Sequence, residues 1–287
     1  MKRIIQLMML LFISVLLLQC TKIDEPYSHY TIKPVVIDTN TRTILLEDYT
    51  GHTCVNCAPA AKTANTLQEA YKGQVFVIGV HAGSFAKPDL THYVPYLTAD
   101  YTSAAGNEWY SYSGFNIDQN PKGMVNRRPY KTKISFLPSD WNNAIDSVLK
   151  LPKAAIMVLN NTYNSANRTV SIQVDTKFLL GFTSPVNLCV CILEDSIHGG
   201  QLNSIKPDST PIIKNFTFMH ILRGSVNGSF GEEIAASPAA NAIYSKTYSF
   251  DFTPKSWVPA HCSVIAFIMD AGTREVLHVT KSPVIRP

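Results

Sequence analysis

The chain has 287 residues, a formal net charge of +4, 46% hydrophobic residues and 16% charged residues. This composition excludes an intrinsically disordered protein, which would be poor in hydrophobic residues and rich in charge. It also excludes a polytopic membrane protein, because the only long apolar run is at the N-terminus. Lys and Arg residues are scattered and form no basic stripe, so nucleic acid is not an expected partner.

The N-terminal segment has the pattern of a secretory signal. Lys2 and Arg3 precede an apolar run over residues 4–18, which is shorter than the ~20 residues that a membrane-crossing helix needs. A basic start followed by a short apolar core is typical of a signal peptide, which we place at residues 1–19. Cys20 directly follows and resembles the lipidated cysteine of bacterial lipoproteins. An uncleaved anchor helix is the alternative to lipidation.

The next segment, residues 20–41, is predicted to be a lipidated tether. It shows little hydrophobic periodicity, so we expect it to hold the folded part of the chain away from a membrane. Asp24 and Glu25 resemble the surface-export signal of lipoproteins from Bacteroidetes, although two solvated charges on a linker would look the same. We therefore expect a lipid anchor in the outer membrane, at either its periplasmic or its cell-surface face.

The first folded segment begins with a strand–helix–strand pattern. Residues 43–48 and 75–80 are apolar runs that predict buried strands. Between them, apolar residues recur at helical spacing over residues 58–72, which predicts an amphipathic helix ended by Gly73. Two strands joined through a helix by short links predict a parallel, right-handed crossover unit.

Residues 84–119 interrupt this pattern with prolines and many tyrosines, and they predict a helical insert that covers one edge of the domain. Ser139 or Asp140 is the expected N-cap of a further helix, which Pro152 ends. The first domain is therefore predicted over residues 42–150.

The second half of the chain carries repeated strand signals, and in several of them apolar and polar residues alternate. The predicted strands are 154–163, 169–179, 186–194, 216–223, 243–252, 263–270 and 275–280. No convincing helical pattern separates them. We therefore predict an antiparallel β-sandwich of about seven strands over residues 151–287.

Cys54 and Cys57 form a Cys-x-x-Cys pair between the first predicted strand and the first predicted helix. Two intervening residues let one helical turn bring both sulfurs within disulfide reach. The unpaired N–H groups and the positive dipole end of the helix lower the pKa of the first cysteine. We therefore expect Cys54 to be the nucleophile and Cys57 the resolving thiol in exchange with a protein or peptide disulfide. This reaction needs no cofactor beyond a redox partner.

Zinc fits the cysteines poorly, because Cys189 and Cys191 are a Cys-x-Cys and supply no second pair at ligand spacing, so no metal is expected. We expect Cys189, Cys191 and Cys262 to be inert core residues. The alternative for Cys54 and Cys57 is a permanent structural disulfide, in a non-enzymatic surface protein that binds or adheres. The exchange hypothesis requires that neither sulfur lies deep among packed side chains.

The order strand, Cys-x-x-Cys, helix, strand, with Pro121 before a later strand, resembles an α/β thioredoxin-like domain. The resemblance implies a cis-proline at Pro121 that faces the dithiol and helps to bind the substrate backbone, with Asn120 beside it. His52, two residues before Cys54, is a further substrate-binding candidate, or it lies exposed in the turn. Thr53 stands where thioredoxins usually have Trp.

Four segments are similar to the outer membrane protein 28-related family, a group of Bacteroidetes lipoproteins: residues 44–61, 121–127, 218–223 and 264–270. The similarity is most specific around the cysteine pair. It implies a thioredoxin-like domain followed by a β-rich domain at an outer membrane, in a family whose members include surface proteins and adhesins.

Overall fold

The computed structural model describes residues 42–203 and 211–286. The predicted signal peptide at residues 1–19, the lipidated Cys20 and the tether that follows lie outside the described residues. Within the described residues, no helix is long and apolar enough to cross a membrane.

The described residues form three α-helices and thirteen β-strands. The helices are α1 (Cys57–Ala70), α2 (Ala104–Ser111) and α3 (Pro138–Leu149). The strands are β1 (Ile44–Thr50), β2 (Val75–His81), β3 (Lys122–Val125), β4 (Ala155–Asn164), β5 (Thr169–Phe178), β6 (Val186–Glu194), β7 (Ile197–Leu202), β8 (Ile212–Phe218), β9 (Ile221–Ser225), β10 (Glu232–Ala235), β11 (Ile243–Asp251), β12 (Cys262–Asp270) and β13 (Val276–Pro283). The fold is therefore mostly β, with mixed and antiparallel sheets.

The central layer is an eight-stranded sheet with the order β13-β12-β6-β9-β2-β1-β3, and β10 adds to β6. β1 pairs in parallel with β2 and antiparallel with β3, whereas β6, β9, β12 and β13 pair antiparallel. β2 joins β9 through the pair Gly79 and Ile221. The sheet thus takes strands from both sides of the boundary predicted at 151–153, so the two predicted domains share one hydrogen-bonded layer.

Apolar side chains cover both faces of this sheet. One face carries a core that runs from Leu45 and Ile78 to Phe267, and Trp109 of α2 packs into it. The opposite face is covered at one end by α1 and α3 and at the other by the three-stranded sheet β11-β5-β4. The insert predicted at residues 84–119 therefore supplies a helix to a core that both halves of the chain build.

Helix α1 forms where the apolar spacing predicts a helix, but it begins at Cys57 and leaves Cys54 in the preceding turn. Pro59 accounts for this start, because proline fits the first turn of a helix, where its missing N–H loses no partner. Gly73 follows the helix with a φ of +82°, a left-handed conformation that favours glycine.

Other elements differ from the sequence predictions. α3 begins at Pro138 and no side chain caps it, so Ser139 and Asp140 are not its N-cap; proline already fixes the helical φ at the first position. The single strand predicted over residues 216–223 is two strands in different sheets, because His220 between β8 and β9 has a φ of +58°. The sequence pattern does not predict β7 or β10.

Candidate functional site

Cys54 and Cys57 form a disulfide, with their Cα atoms 5.4 Å apart. Cys54 lies in the turn after β1, where its N–H donates to Gly51 O at 3.1 Å. The Cys57 N–H donates to Cys54 O at 3.2 Å, and α1 begins at this residue. The turn therefore holds both sulfurs at the N-terminal end of α1, directly after an inner strand of the sheet.

The first residues of the insert brace this turn. The N–H and the hydroxyl of Thr53 both donate to Phe85 O, at 3.1 Å and 2.8 Å. A Cβ on Gly51 would lie 2.3 Å from the backbone carbonyl of Phe85, so this close approach requires glycine. The insert thus fixes the shape of the turn that carries Cys54.

Both cysteines are buried in this conformation: Cys54 exposes 3% and Cys57 1% of its surface. The two residues between them are exposed, and Val55 shows 38% of its surface to solvent. A polypeptide thiol therefore does not reach the sulfurs unless neighbouring groups move. In this conformation the disulfide does not meet the accessibility that the exchange hypothesis requires.

Strand β7 lies directly against the cysteine turn. The Gln201 Nε2 donates to Cys54 O at 2.9 Å, and the Leu202 N–H donates to His52 O at 2.9 Å. Gln201 is itself 2% exposed. A strand from the second half of the chain therefore closes over the turn. Sequence reasoning missed it, because the pattern around residues 197–202 gives no strand signal.

Asn120 and Pro121 lie beside the strand that leads to the disulfide. The Asn120–Pro121 bond is cis, as the family resemblance implies. Directly after it, Lys122 pairs with Tyr49 of β1. The Asn120 Nδ2 donates to the carbonyl oxygens that end β1 and follow β2, Thr50 O and Ala82 O, each at 3.1 Å. The amide of Asn120 therefore ties together the ends of the two parallel strands.

A cavity of about 30 Å³ lies between the sheet and α1, and Asp48, Ala61, Ala64 and His81 are among its lining residues. This volume is enough for about two water molecules. Asp48 Oδ1 and both ring nitrogens of His81 are buried without a hydrogen-bond partner in the described part of the chain. Burial raises the pKa of Asp48 to about 8, because removal from water disfavours the carboxylate. Ala61 lies one helical turn after Cys57, so these two residues share a side of α1.

The imidazoles of His52 and His81 are buried beside this site. The His52 Nε2 lies 3.0 Å from Leu97 O, and the Tyr101 ring contacts both imidazoles, with centroids 5.5 Å and 5.4 Å away. Burial lowers the pKa of His52 and lowers that of His81 to about 3. Both rings are therefore neutral at pH 7. His52, a predicted substrate-binding residue, faces the interior in this conformation.

The other cysteines of the described chain are free and buried. Cys189 and Cys191 lie on one face of the sheet with sulfurs 3.7 Å apart, whereas Cys262 belongs to the core on the opposite face. The sheet thus separates Cys262 from the other two and prevents a bridge between them. Among the described residues, no group of His, Cys, Asp and Glu could hold a metal ion.

Comparison with known proteins places the chain among outer membrane proteins. The family model described as outer membrane protein Omp28 matches residues 108–286. No curated protein matches the chain.

Among solved structures, HBP35 of Porphyromonas gingivalis has a TM-score of 0.58 at 14% identity, covering 86% of this chain and 76% of that chain. Protein AGR_C_4864 from Agrobacterium tumefaciens has a TM-score of 0.53 at 12% identity, covering 87% of this chain and 98% of that chain. A domain of the outer membrane lipoprotein Omp28 from Porphyromonas gingivalis is 21% identical over 46% of this chain and 88% of that chain, with a TM-score of 0.31. The first two neighbours share the fold over most of the chain.

Proposed function

The chain belongs to the Omp28 family of outer membrane proteins, and from that premise we propose that it is a lipid-anchored protein whose Cys54–Cys57 pair exchanges disulfides with a protein or peptide partner. The observation that carries this proposal is the disulfide itself, which lies at the start of α1, after an inner strand of the sheet. The buried carboxyl of Asp48 lines a cavity between that helix and the sheet.

The attachment to the outer membrane is proposed at Cys20. The family supports the membrane, and the signal-like segment before this cysteine supports the anchor. Labelling of cells with a fatty-acid probe should mark the wild-type protein and leave a Cys20→Ser variant unmarked. Protease treatment of intact cells then distinguishes the cell-surface face from the periplasmic face. An unlabelled wild-type protein would exclude the lipid anchor.

The topology around the disulfide supports a thioredoxin-like arrangement. β1 precedes the cysteine pair, α1 follows it, and β2 returns parallel to β1. On the other side of β1, the Asn120–Pro121 segment leads into the antiparallel strand β3, and α3 follows. Substrate-binding roles for Pro121, Asn120 and His52 belong to this proposal. In the described conformation the ring of His52 is buried and the amide of Asn120 bonds two main-chain carbonyls, so both side chains support the backbone around the disulfide.

The chemistry begins with the oxidised pair. A substrate thiolate attacks Cys54 Sγ, the disulfide breaks, and the Cys57 sulfur leaves as a thiolate. The N-terminal end of α1 stabilises that thiolate through its unpaired N–H groups and its dipole. A second substrate thiolate then attacks the mixed disulfide and releases Cys54. The substrate dithiol loses two electrons and two protons, and the protein pair gains them.

Asp48 has the properties of a proton donor for the leaving thiolate. Its pKa of about 8 keeps it largely protonated at pH 7, so it holds a proton where a carboxyl in water would hold none. The cavity beside it is lined by Ala61 and Ala64 of α1. We infer that this neutral acid supplies a proton to Cys57 as the disulfide opens.

A second candidate function is surface binding or adhesion with a structural disulfide. The burial of Cys54 and Cys57 favours it, and so does the insert, in which Leu90 is 72% and Val94 is 54% exposed. Exposed apolar side chains that form a continuous patch are typical of contact surfaces. In this case the disulfide would stabilise the turn and would not exchange.

Two measurements separate these functions. The first is the reduction potential of the pair, read from the fraction of alkylated Cys54 and Cys57 in thiol buffers of known potential. A Cys57→Ser variant of the reduced protein should accumulate a mixed disulfide with a partner through Cys54, whereas a Cys262→Ser variant should behave as the wild type. A potential below about −300 mV, together with no mixed disulfide, would refute exchange and leave the binding function.

A further inference from the structure

We propose that strands β7 and β8, called here the β7–β8 hairpin, cover the disulfide, and that the side-chain amide of Gln201 holds them against the cysteine turn. A thiol then reaches Cys54 only when this hairpin moves away from the turn. The inference rests on the proposed function, because a cover matters only for a disulfide that exchanges.

The side chain of Gln201 contacts the turn that carries the two cysteines. Its Nε2 donates to Cys54 O at 2.9 Å and approaches Gly51 O at 3.4 Å. The same two carbonyl oxygens accept the N–H groups of Cys57 and Cys54. The amide's second N–H donates to Leu202 O at 2.9 Å, so this buried side chain bonds the corner of the turn at Cys54 and lies beside the corner at Gly51.

The residues on either side of Gln201 strengthen the closure. The Gly200 N–H donates to Tyr96 O at 3.0 Å, and the Leu202 N–H donates to His52 O at 2.9 Å. A Cβ on Gly200 would lie 2.5 Å from Tyr96 O, so the close approach requires glycine here. Three consecutive residues of β7 are thus bonded to the segment that surrounds the disulfide.

The hairpin can move without disrupting the central sheet. In the described part of the chain, β7 and β8 pair with each other as a separate two-stranded sheet. A hairpin without further strands is only marginally stable and depends on its packing. That packing is aromatic: Phe218 of β8 contacts Tyr101 and His81, with ring centroids 4.8 Å and 5.5 Å away. Local opening therefore breaks these contacts and the bonds of β7, and leaves the eight-stranded sheet intact.

The test uses dithiothreitol as the probe on the oxidised full chain. One of its thiolates attacks Cys54 Sγ, and Cys57 leaves as a thiolate and takes a proton. The second thiol of the reagent then displaces Cys54, so the reagent becomes a cyclic disulfide and the protein gains two thiols. The rate is read by alkylation and mass spectrometry. Gln201→Ala removes the bond that holds β7 to the cysteine turn, and we expect it to raise the reduction rate about tenfold, because it removes the hydrogen bond to the carbonyl oxygen of Cys54.

Asn161→Ala is the matched control. The buried Asn161 Nδ2 also bonds two main-chain carbonyl oxygens, Pro283 O at 3.0 Å and Ser282 O at 3.4 Å, but these bonds join β4 to β13 and not to the cysteine turn. This variant should be reduced within about threefold of the wild-type rate, because hydrogen-bond losses away from the turn do not lower the cost of opening. Equal rates for Gln201→Ala and the wild type would overturn the proposal.

Native-state hydrogen exchange gives a second readout that is independent of folding of the variant. In the wild type, exchange of the Leu202 amide and reduction of the disulfide should accelerate by the same factor in low guanidinium, because both need the hairpin to open. The Ile265 amide in the middle of β12 should remain protected. Different denaturant dependences for Leu202 exchange and for reduction would overturn the proposal, even if Gln201→Ala fails to fold.

The outcomes for the cover and for exchange are distinct. The potential of the pair and the trapping by Cys57→Ser do not depend on how fast the hairpin opens. If the reduction potential is low and no mixed disulfide is trapped, but the disulfide of Gln201→Ala is reduced faster, then the hairpin covers a structural disulfide. If the pair exchanges disulfides normally and Gln201→Ala has no effect on the reduction rate, then the exchange function stands and the covering role of the hairpin is rejected.

Discussion

An asparagine in place of Asp48 keeps the shape and the neutral form of this buried group but removes its ionisation. In the native state burial raises the pKa of Asp48 from 3.8 to about 8. In the unfolded chain the carboxyl is in water and has its ordinary pKa. Between the two values the native state holds a proton that the unfolded state has released. Stability therefore falls as the pH rises through this window, and the contribution of the group is complete only below about pH 4.

The magnitude follows from the width of the window. Each pH unit within it lowers the free energy of unfolding by about 1.4 kcal/mol. Between the unfolded pKa of 3.8 and pH 7 the loss amounts to about 4 kcal/mol. Asp48→Asn lacks this loss. It should have nearly the stability of the wild type at pH 4, exceed it by about 4 kcal/mol at pH 7, and gain little more above about pH 8.

The assay is guanidinium unfolding of the oxidised proteins at several pH values, followed by the fluorescence of the buried Trp109 and Trp141. The difference between variant and wild type is the quantity to use, because His81 and His278 also titrate. Burial lowers the pKa of each to about 3, so in both proteins these groups add stability as the pH rises toward 6.5. The exposed Glu108 of α2 gives a control, since Glu108→Gln should stay within about 0.5 kcal/mol of the wild type.

Two results would refute this reasoning about Asp48. A difference that stays constant from pH 4 to pH 8 would mean that the native carboxyl has an ordinary pKa. A variant that is less stable than the wild type at pH 7 would mean that the ionised form is the one that the fold stabilises. Either result would also remove the protonated acid from the proposed exchange chemistry.

The same unfolding assay checks two further predictions. Arg127 and Glu47 form a fully buried ion pair at 2.8 Å. Arg127→Met should lower the free energy of unfolding by about 3–5 kcal/mol, because it leaves a buried charge unpaired, whereas Arg128→Met at the neighbouring, half-exposed site should cost less than about 1 kcal/mol. Equal losses for the two variants would contradict the argument from burial. A Cβ on Gly123 would lie 2.6 Å from the indole nitrogen of Trp141, so Gly123→Ala should cost about 1–3 kcal/mol, and an unchanged midpoint would show that the indole moves freely.

Local patterns predicted those parts of the fold that local physics determines. The strand predicted over residues 186–194 has the bounds of β6, and its six successive apolar residues, 188–193, fit a strand that is buried on both faces. The break between β8 and β9 could not be predicted in this way. His220 holds its left-handed φ through its N–H bond to Asp195 Oδ1 and its carbonyl bond from the Gly79 N–H. Those partners are distant in sequence, and only the folded chain brings them together.

The candidate site likewise has parts that local sequence predicts and parts that depend on distant residues. The cysteine pair and the Asn120–Pro121 segment carry motifs that sequence can identify. Asp48 carried no signal of its burial, because a charged side chain is almost never fully buried unless it is paired. Gln201 carried none, because it is 147 residues from Cys54 and lies in a strand that its own residues do not predict. The position of β7 over the cysteine turn and the burial of the Asp48 carboxyl therefore follow from the tertiary structure and not from local sequence patterns.

A chain that ends at Lys150 is expected not to fold, although the sequence predicts a domain boundary there. Leu45, Ile78 and Trp109 lie in a core that Leu222 and Phe267 of the second half complete. Each fully buried apolar side chain contributes about 1.5–3 kcal/mol. Exposing only a few of them removes as much as the 5–15 kcal/mol or so that a whole domain has to spare.

The measurement is a comparison of residues 42–150 with residues 42–286 by near-ultraviolet circular dichroism and by amide dispersion in NMR spectra. The longer chain should give the signals of packed aromatic rings, and the shorter chain should lack them. A well-dispersed spectrum from the short chain would restore two independent domains. It would also mean that the closure of the disulfide by β7 is a contact between separate bodies, since the turn that carries Cys54 would then keep its shape without the second half. Loss of the spectrum would instead tie the shape of that turn to strands far along the chain.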